Sequence, residues 1–271
     1  MFRKTFQKKK EEIEKVLKEQ RKETSNPYDH SEKEKELYKA VKNGNLEKTI
    51  ILLEKEKAKF NALFEKGIDI LEIATREQHE NIIEYIIFSK FAGFFLNPLK
   101  TSFVFQKLIQ QELNNSIKLF LNNEELRGEL NKTNIAEVLN YALQNNEIEI
   151  IDLVLSNDRL FGKLDDQSIK ASLIYAISNS NLNAVNFVLN NTLLFSQLKS
   201  ESLSNIFSMS VIRGENKITE MFLQNSQIIQ AIKNSDPILI KTTLQIACKK
   251  QNIEIINLIN NDKDLLLMLE D

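Results

Sequence analysis

The sequence predicts an all-α fold, a solenoid of about seven helical repeats of roughly 34 residues each, and three observations carry that expectation. Glycine and proline are scarce, six and three in 271 residues, which argues against a fold rich in tight β-turns. A column of mostly small residues recurs at a step of 34: Ala40, Ala74, Leu108, Ala142, Ala176 and Ser210, then Ala247 after a step of 37. Three places before each of them stands an apolar residue in all seven copies: Leu37, Leu71, Phe105, Leu139, Leu173, Phe207 and Leu244. No unit of that length buries its own apolar stripe, and stacking neighbours makes one continuous core.

The chain opens on "MFRKTFQKKKEEIEKVLKEQRK". Residues 1–24 carry nine Lys/Arg against five Asp/Glu, a net +4, whereas the rest of the chain is net −6. Residues 1–28 read as a basic lead-in or capping helix. A basic amphipathic segment of this kind can also dock on anionic lipid. It lacks the apolar h-region of a secretory signal. No run in the chain approaches the roughly 18–20 apolar residues of a membrane-spanning helix.

Each unit then reads as cap, long helix, turn, second helix and short third helix. Eleven places before the small column stand Asp29, Asn97, Asn131, Asp165 and Asp236, whose side-chain oxygens suit a helix N-cap. Pro98 and Pro237 follow two of them, at the first helical position that proline favours. Leu63 and Lys199 depart from this column, and Ser200 is the candidate cap beside the latter. Four places after the small residue comes a turn position: Gly44, Gln78, Glu112, Asn146, Ser180, Gly214 and Gln251. The second helix follows, as in "NEIEIIDLVLSN", "SNLNAVNFVLNN" and "QNIEIINLINND". Apolar residues at i, i+3, i+4 and i+7 give it one buried stripe. The third helix is marked by the pairs Leu126/Leu130, Leu160/Leu164, Leu194/Leu198, Ile228/Ile232 and Leu265/Leu269, with weaker copies at Ala58/Ala62 and Ala92/Leu96. A spacing of four puts both side chains on one helical face. The units are 29–62, 63–96, 97–130, 131–164, 165–198, 199–235 and 236–269, one repeat domain over 29–271, with Lys233–Ser235 as the extra residues of the sixth.

The core of this unit resembles the ankyrin repeat. "LYKAVKNGNLEKTIILLEK" matches the Leu, Ala, Gly and terminal Leu-Leu positions of that family's pattern, and "LEIATREQHENIIEYII" matches again with His79 at its second histidine. The Thr-Pro opening of the family's first helix is absent, and helix is expected where the family has a β-hairpin. The tetratricopeptide repeat has the same length but wants a small residue early in its second helix, where this chain has Ile83, Ile117, Ile151, Val185 and Ile256. What the ankyrin resemblance implies is partner binding along the face of an array.

Residue types that carry chemistry are sparse. His30 and His79 lie 49 positions apart, with no ligand partner at metal-site spacing. His79 falls in the turn region of a repeat, which implies a structural role. Cys248, the single cysteine, excludes an intramolecular disulfide. It follows the small column and is expected to be a buried, inert thiol. The glycines are scattered singly, so no phosphate-cradling loop forms. No catalytic residue, metal site or cofactor is expected. A net charge of −2 gives no basic field for nucleic acid.

Two surfaces stand out. Lys42, Arg76, Gln110, Gln144 and Ser178 lie two places after the small column, and Asn43, Glu77, Gln111, Asn145, Asn179 and Arg213 lie three places after it. They should line one edge of the array, as varied side chains on a fixed backbone, and are read as partner-binding or as plain solvated positions. Phe88, Phe91, Phe94 and Phe95 in "FSKFAGFFLNP" exceed what the repeat requires. They form either an exposed aromatic patch or a locally thickened core. The function expected is a non-enzymatic, monomeric protein-interaction scaffold with a protein partner. The alternative is a peripheral membrane adaptor docking through residues 1–24. Ankyrin-like repeats together with an Asn-, Lys- and Ile-rich composition also resemble effector proteins of intracellular bacteria. Residence is expected in the cytoplasm, or in a host cell after delivery without a cleavable signal.

Overall fold

The computed structural model describes residues 32–55, 58, 69–89, 98–235, 238–263 and 265–266, and among them the chain is all-helical. The lead-in at residues 1–28 lies outside the described residues. The chain divides into two compact units between Asn134 and Ile135.

In the first unit, α1 (Glu32–Lys42) is followed by α2 (Leu46–Ile50), which runs into one π-helical stretch at Ile51–Lys55. Next come α3 (Ile70–Arg76), α4 (Glu80–Phe88), α5 (Pro98–Gln110), α6 (Asn114–Asn122) and α7 (Glu124–Glu129). Helix α8 (Lys132–Asn145) opens at the division. Two rows form: α1 packs on α3 and α3 on α5, while α2 packs on α4 and α4 on α6. Helix α7 closes against both α5 and α6.

The second unit continues with α9 (Ile148–Leu155), α10 (Asp158–Phe161), α11 (Asp166–Ser178), α12 (Leu182–Asn190) and α13 (Thr192–Ser196). It ends with α14 (Ser200–Arg213), α15 (Asn216–Leu223), α16 (Ser226–Ser235), α17 (Ile238–Lys249) and α18 (Ile253–Asn261). Here α11 packs on α14 and α14 on α17, and α12 packs on α15 and α15 on α18. The short helix α16 lies against α14 and α15.

Ala40, Ala74, Leu108, Ala142, Ala176, Ser210 and Ala247 are all buried. Six of the seven apolar residues three places earlier are buried too, and Leu244 is half-buried. Where that column carries phenylalanine, the second helix answers in kind at one register. The Phe105 and Phe120 rings sit 5.1 Å apart, and Phe207 meets Phe222 edge-on at 6.2 Å. Such pairs add about 0.5–1.5 kcal/mol beyond their burial.

All seven turn positions have positive φ: Gly44 at 71°, Gln78 at 60°, Glu112 at 58°, Asn146 at 57°, Ser180 at 53°, Gly214 at 78° and Gln251 at 54°. The next residue then donates its N–H to the carbonyl of the small residue five places back. This bond recurs as Asn45 to Ala40, His79 to Ala74, Leu113 to Leu108, Glu147 to Ala142, Asn181 to Ala176, Glu215 to Ser210 and Asn252 to Ala247, at 2.8–3.0 Å. The left-handed residue and the long backward bond are a Schellman termination, which satisfies carbonyls that the helix leaves open.

Caps fix the helix starts. Asp165 Oδ1 accepts from the Ser168 N–H at 3.0 Å. Asn131 and Asn134 cap each other reciprocally, at 3.0 and 3.1 Å. Asp29, Asn97 and Asp236 lie outside the described residues. Helix α3 starts at Ile70, capped by Asp69; Leu63 lies outside the described residues. Lys199 makes no side-chain cap. A further cap column escaped sequence reading: Asn123, Asn157, Asn191, Asn225 and Asp262 each accept from backbone N–H groups opening a short third helix. Much of the asparagine therefore has a structural use.

One expectation is overturned. Cys248 is exposed, although Val41, Thr75, Leu143, Ile177 and Val211 at the same register position are buried. A following long helix packs against α11 and against α14, which carry this position at Ile177 and Val211. Among the described residues α17 has no such successor, so this side of Cys248 stays open.

Candidate functional site

The C-terminal tips of the first helices carry the predicted surface residues. Lys42 is exposed and its Nζ donates to the Tyr38 hydroxyl at 3.3 Å, 5.5 Å from that ring's centre. Arg76 pairs with Glu72 one turn back at 2.6 Å. Gln110 accepts from Lys107 Nζ at 2.8 Å. Glu77 and Arg213 are exposed. Asn145 and Asn179 are exposed, and each donates from Nδ2 to a carbonyl of its own helix, Tyr141 or Tyr175, at 3.1 Å.

Gln111 and Gln144 are half-buried and take part in straps between successive repeats. His79 Nε2 lies 2.9 Å from the Lys42 carbonyl oxygen. Gln111 Nε2 donates to the Arg76 carbonyl at 3.5 Å. Asn181 Nδ2 donates to the Gln144 carbonyl at 3.1 Å and to its Oε1 at 3.3 Å. Lys250 Nζ donates to the Ile212 carbonyl at 2.7 Å. Lys42, Arg76, Gln144 and Ile212 share one register position. A side chain of the following repeat thus satisfies an open carbonyl at the end of the preceding first helix.

Two carboxylates act across repeats at the other helix end. Glu80 Oε1 accepts from the Ser116 N–H at 3.1 Å, at the start of α6, whose own N-cap residue is Leu113. Buried Asp166 accepts from the Lys199 N–H at 2.8 Å and from the Ser202 hydroxyl at 2.9 Å. In each place the preceding repeat supplies an acceptor that the local cap lacks. Both carboxylates also sit at a helix N-terminus, where the dipole favours negative charge.

Tyr85, Glu84 and Lys100 have shifted titration. Tyr85 is pushed up to about 12 by burial, and then by a 3.0 Å hydrogen bond to Glu54 and that carboxylate's charge. Burial, and then the charge of Glu80, raises Glu84. Burial lowers Lys100 to about 8, although it pairs with the buried Asp69 carboxylate, which pulls the other way.

Of the aromatic cluster, Phe88 is 54% exposed, and Phe91, Phe94 and Phe95 lie outside the described residues. Sequence reading missed Tyr175, 50% exposed, and Ile212, 62% exposed. The signal was present, since both stand at register positions that hold Lys39 and Lys42 in the first repeat. Among the described residues no group of three or more His, Cys, Asp or Glu side chains could hold a metal ion. No described helix is long and apolar enough to cross a membrane. Against family models, curated proteins and solved structures, the chain finds no match.

Proposed function

We propose that the chain is a non-enzymatic protein-interaction scaffold, built as a solenoid of seven ankyrin-like repeats that present a surface to a protein partner. The observation that carries this reading is the sevenfold turn, with the same left-handed residue and the same backward bond each time. A backbone repeated so closely, with exposed side chains that differ from copy to copy at Lys42, Glu77, Asn145, Asn179 and Arg213, is how an array gains an extended and specific surface.

The test is retention of a partner by immobilised full-length chain, followed by direct titration of that partner once purified. Lys42→Glu and Arg213→Glu reverse exposed charges at helix tips, and both should fold with an unchanged thermal melt. A partner retained by the wild type and weakened about tenfold by either reversal, equivalent to about 1.4 kcal/mol, supports the reading. Absence of any partner, or equal binding by all three proteins, sinks it.

A further inference from the structure

Four places before the small column and eight places after it, the second to seventh repeats bury every side chain, and none of them is charged. Ile70 with Ile82, Val138 with Ile150 and Ile206 with Ile218 are three such pairs. The first repeat breaks both columns. It has Glu36 and Lys48 there, paired at 2.9 Å with side chains 42% and 48% exposed. Among the described residues α1 and α2 also have no preceding repeat. The two columns therefore mark the side that a repeat turns toward the one before it.

The opposite side is open in the last repeat. Leu244 and Ile256 are half-buried and Cys248 is exposed, whereas Leu173, Val185 and Ile177 are buried at the same register positions. What packs on α11 and α12 is the next helix pair, α14 on the first and α15 on the second. That pair carries Ile206 and Ile218, one on each helix. Asn260 stands where Leu189 and Leu223 are buried, so the open side is apolar over a narrower area than a joint within the chain. The two open sides differ in kind. A neighbour seated over Glu36 and Lys48 would take both charges out of water, a cost that their attraction does not repay without further hydrogen bonds. Leu244, Cys248 and Ile256 carry no charge that has to be desolvated.

We infer that the open side of α17 and α18 is a docking site for a helix pair of a partner protein. The pair presents one branched apolar side chain from each helix, as Ile206 and Ile218 do within the chain. The Glu36–Lys48 pair keeps a second copy of this chain off the site. Without it, copies would join head to tail, a contact that does not close and runs on into filaments. The inference rests on the stacked repeats of the reading above but uses a different surface from the helix tips.

The probe is the full-length chain with its first repeat made apolar, Glu36→Val/Lys48→Ile, and with Cys248→Asp to close its own last repeat. All three side chains are at least partly exposed, so the probe should melt no lower than the wild type. Mixed with wild type it should sediment as a one-to-one complex, while wild type alone stays monomeric at the same concentration. The wild type has one cysteine and the probe has none, so alkylation by iodoacetamide reads the site directly. Saturating probe should slow that alkylation at least tenfold. Cys248→Asp in the other partner should weaken the complex at least tenfold. Glu36→Val/Lys48→Ile alone should form assemblies that lengthen with concentration. No complex, or a complex that leaves alkylation of Cys248 unchanged, overturns the inference. A wild-type dimer that Cys248→Asp disperses would give the site to a second copy seated tail to tail, and would also overturn it. The helix-tip partner is read separately by Lys42→Glu and Arg213→Glu, so this site can fail while the scaffold reading stands.

Discussion

The imidazole of His79 reaches back 37 residues to the carbonyl of Lys42, with Nε2 at 2.9 Å. A carbonyl only accepts, so Nε2 carries the hydrogen in the neutral ring. The same ring lies over Gly44, where a methyl group added to the glycine would come within 2.8 Å of it. One side chain thus both closes the end of α1 and fills the space that a glycine leaves at φ +71°.

His79→Ala should therefore cost about 1 kcal/mol, the net value of one intramolecular hydrogen bond. Gly44→Ala should cost more, since it adds a left-handed penalty of roughly 1–2 kcal/mol to the collision. In Gly44→Ala/His79→Ala the collision disappears and only the backbone penalty and the lost strap remain. Chemical denaturation of the four proteins should give a total below the sum of the single losses. Strict additivity would show that the ring does not rest on Gly44.

Among the seven turn positions, the five that are not glycine offer the opposite experiment. Glu112 and Gln251 are exposed at φ 58° and 54°. Glu112→Gly and Gln251→Gly should each stabilise by up to about 1 kcal/mol, because relief of the left-handed penalty exceeds the extra freedom of the unfolded glycine. Asn146→Gly should gain less, since asparagine tolerates this conformation. Ser180→Gly should gain little, because it also removes a 2.8 Å bond from the Ser180 hydroxyl to Glu215. A loss of stability at Glu112 or Gln251 would contradict a left-handed penalty at these turns.

The helix–turn–helix rhythm was legible because it depends on volume and on backbone conformation. A small residue at Ala142 and a turn at Asn146 leave a mark at a fixed step. Contacts between repeats were not legible. The straps come from His79, Gln111, Asn181 and Lys250, four chemistries in two register positions, so no column betrays them. The cap column at Asn123, Asn157, Asn191 and Asn225 could have been found by its spacing. It was lost in a chain with asparagine everywhere. The surface expectation fared unevenly for the same reason. Spacing places Gln144 at a helix tip, but only geometry turns it inward to meet Asn181.

Asp166 tests whether one repeat caps the next. Its carboxylate is buried and accepts from the Lys199 N–H and the Ser202 hydroxyl. Asp166→Ala should cost about 1–3 kcal/mol, because it leaves buried donors unsatisfied. Ser202→Ala removes one of those donors and should cost less in the Asp166→Ala background than alone. Hydrogen exchange should show the effect at the start of α14. Independent costs for the two substitutions would mean that Asp166 does not hold that helix end.

Tyr85 predicts the response to alkali. Its hydroxyl ordinarily titrates near about 10. In the folded chain burial, the Glu54 bond and the Glu54 charge hold it up to about 12. The unfolded chain therefore releases this proton first. The contribution to stability is fully present below about 10 and is lost as pH rises through about 12. The difference in tyrosinate absorbance between wild type and Tyr85→Phe should rise late, with its midpoint well above that of an ordinary tyrosine. Glu54→Gln keeps an acceptor and removes the charge, so it should lower the midpoint without restoring the ordinary value, because burial remains the largest cause. A midpoint near about 10 in the wild type would mean that the hydroxyl is neither shielded nor bonded to Glu54, and the contact between α4 and the π-helical stretch would have to be redrawn.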